Sequence, residues 1–104
     1  MPFTEAFVAV VPDADANRDR AVVATGLYKL HVVLVPTEAE AAEVSRALVE
    51  DDGVQSINLC PGFGHGDVAR VVAAVGAHVA VSVSRGDGPG AQLMGQALKE
   101  AGWL

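Results

Sequence analysis

Cys60, His65 and Gly62, Gly64 and Gly66 are the residues whose types and spacing suit chemistry in this chain. They lie in Leu59-Cys60-Pro61-Gly62-Phe63-Gly64-His65-Gly66-Asp67, where a short apolar run meets a helix-like repeat. Three chemistries fit the pattern. The glycines can let the backbone curl its N–H groups into a nest for phosphate or carboxylate, with the dipole of the next helix behind it. Cys60 can act as a nucleophile if His65 accepts its proton. His65, an imidazole in a glycine turn, suits proton exchange. Plainer readings stand beside these: a tight turn that needs positive φ, and a strand-end cysteine acting as a small hydrophobe. Asp67 weakens the anion reading, because a carboxylate in the first helical turn already complements the dipole. Arg85 strengthens it as a forked donor on a neighbouring loop.

Several familiar sites are absent. The glycine spacing is not the Rossmann fingerprint, and no Gly-Lys-Ser/Thr follows to make a P-loop. Gly66 stands where a Cys-x5-Arg phosphatase loop has its arginine. No zinc-type spacing accompanies Cys60 and His65, so neither metal nor cofactor is expected.

The elements that must position these residues follow from hydrophobic periodicity. Ala6 to Val11 is a Val-rich strand stopped by Pro12-Asp13. Residues 12–20 are loop-like, and Ala21 to Thr25 is either a short edge strand or the tail of a helix. Leu30 to Val35 is apolar on both alternating faces, the pattern of a strand covered twice. Thr37 with Glu40 forms a capping box for a helix whose Ala41, Val44 and Leu48 face inward and which Gly53 ends. A strand at Gln55 to Leu59 and a helix at Asp67 to Val75 follow, the latter with Val68, Val71, Val72 and Val75 inward. His78 to Val83 is the fourth strand and Ala91 to Ala101 the last helix, around Leu93, Met94, Ala97 and Leu98. His31 and His78, on predicted strands, suit structural roles better than ligation.

This order predicts a single α/β domain over 1–104: a small, mostly parallel four-stranded sheet with helices packed on it, a flavodoxin- or Rossmann-like half. Right-handed crossovers bring the loops after each strand to one edge, where open α/β sheets bind ligands. That rim collects Arg20, Thr37, the Cys60 to Gly66 loop and Arg85.

Bulk composition narrows the partners. With 104 residues and 51% hydrophobic content the chain can build one core but not two. A net charge of -6, with its seven Lys and Arg dispersed, argues against nucleic acid and against an anionic membrane surface. One cysteine forms no intramolecular disulfide, and the N-terminus carries no basic region, so a cytoplasmic protein is expected. Exposed sheet edges and the apolar Trp103-Leu104 pair point to a homodimer or higher homo-oligomer.

The segment Leu59-Cys60-Pro61-Gly62-Phe63-Gly64-His65 resembles a family of short bacterial proteins classed only as a domain of unknown function. Its members show a strand ending in Leu-Cys, a glycine, then Gly-Phe-Gly-His and a helix. Ala14-Asp15 with Arg20-Ala21-Val22 and Thr25 is similar to its first loop, and Glu40-Ala41-Ala42-Glu43-Val44 to its first helix. Val83, Arg85 and Asp87 with Pro89-Gly90 are similar to its last loop. The similarity spans roughly residues 3 to 90. Pro61 departs from the family's usual glycine, and Ala91–Leu104 from its usual Gly-rich tail. The resemblance implies a fold and a special loop, and no activity.

The site expected from the residues binds a small anionic molecule through Gly62, Phe63, Gly64, His65, Gly66, Arg85, Thr37 and Arg20. Two alternatives use or dismiss the same loop: a small enzyme working through Cys60 and His65, or a ligand-free structural or partner-binding subunit.

Overall fold

The computed structural model describes residues 1–104. Its centre is β1 (Phe3–Val10), flanked by β3 (Tyr28–Val35) on one side and β4 (Ser56–Leu59) on the other, both parallel to it. β5 (Ala80–Val83) continues the parallel sheet beyond β4. β2 (Arg20–Ala24) closes the opposite edge, antiparallel to β3. The order is β2-β3-β1-β4-β5, so the sheet is mostly parallel and has five strands rather than four.

β2 is the ambiguous segment resolved. Thr25 folds the chain back: its Oγ1 accepts the N–H groups of Leu27 and Tyr28 at 3.2 and 3.1 Å, and its own N–H donates to Tyr28 O at 2.7 Å. The β-branched Val22 and Val23 then suit a strand. Every residue of β2 is exposed.

α1 (Glu38–Asp52) and α2 (His65–Val75) pack on each other and on one face of the sheet. Strand alternation points Ala6 and Val8, Val33 and Val35, and Ile57 and Leu59 at these helices, where they meet Ala41, Leu48 and Val71 in a single core. Gly53 ends α1 at φ 68, a left-handed conformation that explains the glycine there. Two details differ from expectation. Thr37 precedes α1 in extended conformation but makes no side-chain capping bond, and Val72 of α2 is 47% exposed rather than inward.

α3 (Ala91–Glu100) follows a short 3-10 turn at Gly88–Gly90 and buries none of its residues fully. It reaches the opposite face only at the carboxyl end of the sheet, where it meets the cavity described below. β3 is therefore covered on one side, through His31, Val33 and Val35, while Tyr28, Leu30, Val32 and Leu34 remain partly exposed on the other. No helix is long and apolar enough to cross a membrane.

Candidate functional site

All four parallel strands end at one edge, as ladder pairing among β3, β1, β4 and β5 requires. From β1 the chain turns toward β2 and β3, then crosses back over β1 to β4 on its other side. The loops after β1 and β4 therefore diverge from adjacent strand ends and leave a crevice between them.

Cys60 sits in that crevice as a clamp. Its N–H donates to Val8 O at 3.1 Å, and its Sγ accepts the Val10 N–H at 3.4 Å. The thiol thus helps join the ends of β1 and β4 through a hydrogen bond. The turn closes with Phe63 N–H on Cys60 O at 3.3 Å, and the Phe63 ring, 6% exposed, drops into the core against the helix-covered face. Phe63 is an anchor of the loop and does not line the crevice.

Gly62, Gly64 and Gly66 all lie outside the positive-φ region, so neither a left-handed turn nor an alternating nest forms there. A Cβ on each would meet only ordinary contacts, at 3.6 Å from Cys60 Sγ, 3.5 Å from Asp67 Oδ2 and 3.9 Å from Arg70 Nη1. The Gly64 N–H already donates to Asp67 Oδ2 at 3.0 Å, and Asp67 also pairs with Arg70. The carboxylate foreseen as a competitor for an anion does occupy the start of α2. His65 opens that helix exposed, without a hydrogen bond to Cys60 or to any other group.

Arg85 follows β5, and its guanidinium grips Asp87 with Nε on Oδ1 at 2.9 Å and Nη2 on Oδ2 at 2.7 Å. Those bonds raise the arginine's pKa and lower the aspartate's from their ordinary values. With the Arg85 side chain 83% exposed, this is a solvent-side pair of small energetic weight. The next residue, Gly86, is tightly placed: a Cβ there would lie 2.5 Å from Pro61 Cβ and 3.3 Å from Met94 Cε. The β5–α3 loop thus docks on the glycine loop through Pro61, and only glycine permits that approach.

Docking of this loop brings α3 beside the crevice and leaves an open cavity of about 510 Å³ between them. Phe7, Ala9 and Val10 of β1 form one wall, and Cys60, Pro61 and Gly62 a second. Met94 and Leu98 of α3, with Trp103 and Leu104, form the third. Glu38, at the start of α1, is the only charged side chain lining it. Both size and apolar lining match a small-molecule site.

Of the residues expected from the sequence, Cys60 and Gly62 line this cavity; Thr37, Phe63, Gly64, His65, Gly66 and Arg85 do not. Arg20 stands apart. It lies on β2, with β3 and β1 between it and β4, and its Nε donates to Ala16 O at 2.7 Å. Phe7, Ala9, Met94, Leu98 and Trp103 were missed as site residues. Their visible signals were the apolar stripe of the last helix and the large apolar pair after Gly102, both readable as ordinary packing.

The class is thus a small α/β protein with an apolar cavity at the carboxyl edge of its sheet. The chain belongs to a family of unknown function, DUF6506, whose model matches residues 3–98. That match runs through most of α3, further than the resemblance to residue 90 suggested. Neither curated proteins nor solved structures yielded a match.

Proposed function

We propose that this protein is a small cytoplasmic binding protein that takes a molecule with an apolar body at the carboxyl edge of its sheet, beside the Cys60–Gly66 loop. The observation that carries this reading is the 510 Å³ cavity at the divergence of the β1 and β4 loops. The body of the ligand lies against Phe7, Met94, Leu98 and Trp103. An anionic group on it points outward to the rim formed by the glycine loop, His65 and Arg85. Asp67 already holds Gly64 and Asp87 takes Nε and Nη2 of Arg85, so Nη1 of Arg85 and the N–H groups of Gly62 and Gly66 carry the anionic share. A covalent reading with Cys60 as nucleophile and His65 as base has no hydrogen bond between the two to rest on.

Trp103 is the only tryptophan and stands in the cavity wall, so its emission reports occupancy. Titration with octanol and with octanoate tests both parts of the reading. Both should shift Trp103 emission and raise the melting temperature, octanoate at lower concentration, and Arg85→Ala should remove octanoate's advantage. Equal binding of the two probes would remove the anionic part. No response to either at millimolar concentration would sink the cavity as a binding site for such molecules.

A further inference from the structure

We propose that two copies of this chain pack face to face through the open side of the sheet, the β2–β3–β1 half of each lying on that of the other. β3 carries apolar residues on both faces, yet α1 and α2 cover only one of them. Parallel strands of this composition occur in sheets covered on both sides. Away from its carboxyl end no helix packs on this face: Phe3 and Val23 are exposed, and Tyr28, Leu30, Val32 and Leu34 are half-buried by their neighbours in the sheet. Phe3 and Val23 are 47% and 63% exposed. Phe3 and Tyr28 stack at 5.8 Å, which makes the patch firm rather than ragged.

Charge favours a second copy as the occupant. The chain has 13 acidic residues and a net charge of -6, yet the open strand face carries a single charged side chain, Glu5. Both Glu5 oxygens are engaged, with Tyr28 OH at 2.6 Å and Ser56 Oγ at 3.0 Å. Two like-charged molecules can therefore meet at this face with their excess charge held away from it. In plan the β2–β3–β1 half measures on the order of 300 Å², from strand spacing and rise. This is below the roughly 800 Å² per partner of a standard interface, so the association is of the weak, concentration-dependent kind.

Sedimentation equilibrium of the full chain, from low micromolar concentration upward, tests this directly. The expected species has twice the 10.7 kDa chain mass. Val23→Glu, at a site already open to solvent, should weaken association at least about tenfold while the circular dichroism spectrum stays native. Phe3→Ser, at the first residue of β1, repeats the test with a second side chain. A wild-type chain that stays monomeric at the highest concentration overturns the proposal, and so does a dimer that both folded variants leave unchanged.

Discussion

Ser45 is wholly buried on α1 and its hydroxyl has no hydrogen-bond partner, a state shared by Nε2 of buried His31. Desolvating a hydroxyl without a partner opposes folding, so removing it should cost nothing. Ser45→Ala is expected to leave stability unchanged or raise it by about 1 kcal/mol; urea unfolding that shows a clear loss would mean the hydroxyl is bonded. The loop glycines invite a similar test. Gly66 lies in the first turn of α2 at ordinary φ, with room for a Cβ. Gly66→Ala should therefore stabilise the chain by roughly 0.5–1 kcal/mol. If the same variant also binds octanoate more weakly in the Trp103 titration, the glycine serves a ligand and not the fold. Residue by residue, the sequence located the unusual loop but mistook why it is unusual. Conformational freedom explains Gly53, whereas the tight position at the site is Gly86, which looked like one more glycine in a loop.

At the scale of elements, Gly86 decides where α3 sits. A methyl group there meets the rigid ring of Pro61, so Gly86→Ala must push the β5–α3 loop and Met94 away from the glycine loop. A loss of roughly 1–3 kcal/mol is expected, with Trp103 emission shifted to longer wavelength as the cavity opens. Unchanged emission would show that α3 is held by something other than this contact. The loop between β1 and β2 responds to acid instead. Asp19 accepts bonds from the Arg18 guanidinium and from the Asp15 N–H, which hold its pKa down at about 2 against an ordinary 3.8. A carboxyl lowered on folding contributes order above its unfolded pKa and loses it as pH falls through the folded value. Amides of residues 15–19 should therefore begin to lose protection below about pH 4 and be free near pH 2, by hydrogen exchange. Protection that persists at pH 2 would show that the carboxylate does not hold the loop. Elements with strong periodicity were legible from the residues alone: β1, β3, β4, β5, α1 and α2 lie within about two or three residues of expectation. β2 was not, because five apolar and charged residues fit either state until Thr25 turns the chain onto β3. α3 was legible as a helix but not as the wall of a cavity, since an apolar stripe has the same spacing whether it meets a core or a void.

At the scale of the whole molecule, the two faces of one sheet should respond differently to the same kind of change. Leu48 is 1% exposed in the core between α1 and the sheet, and every residue around it belongs to the same chain. Leu48→Ala should lose about 2–5 kcal/mol, through lost burial and the cavity left behind. Because that core is complete within one chain, the loss should not depend on protein concentration. Val32 lies one strand position from buried Val33 but points to the open face, where the chain provides no covering layer. Truncating it to alanine should cost less than Leu48→Ala in dilute solution, because Val32 is only half-buried there. At concentrations where copies associate, the wild type gains stability by mass action and Val32→Ala gains less, so their melting temperatures should separate as concentration rises. Thermal unfolding over a wide dilution series gives both comparisons in one experiment. Parallel curves for wild type and Val32→Ala at every concentration would show that the face remains in water, and an apolar β3 would then serve the fold through strand pairing alone.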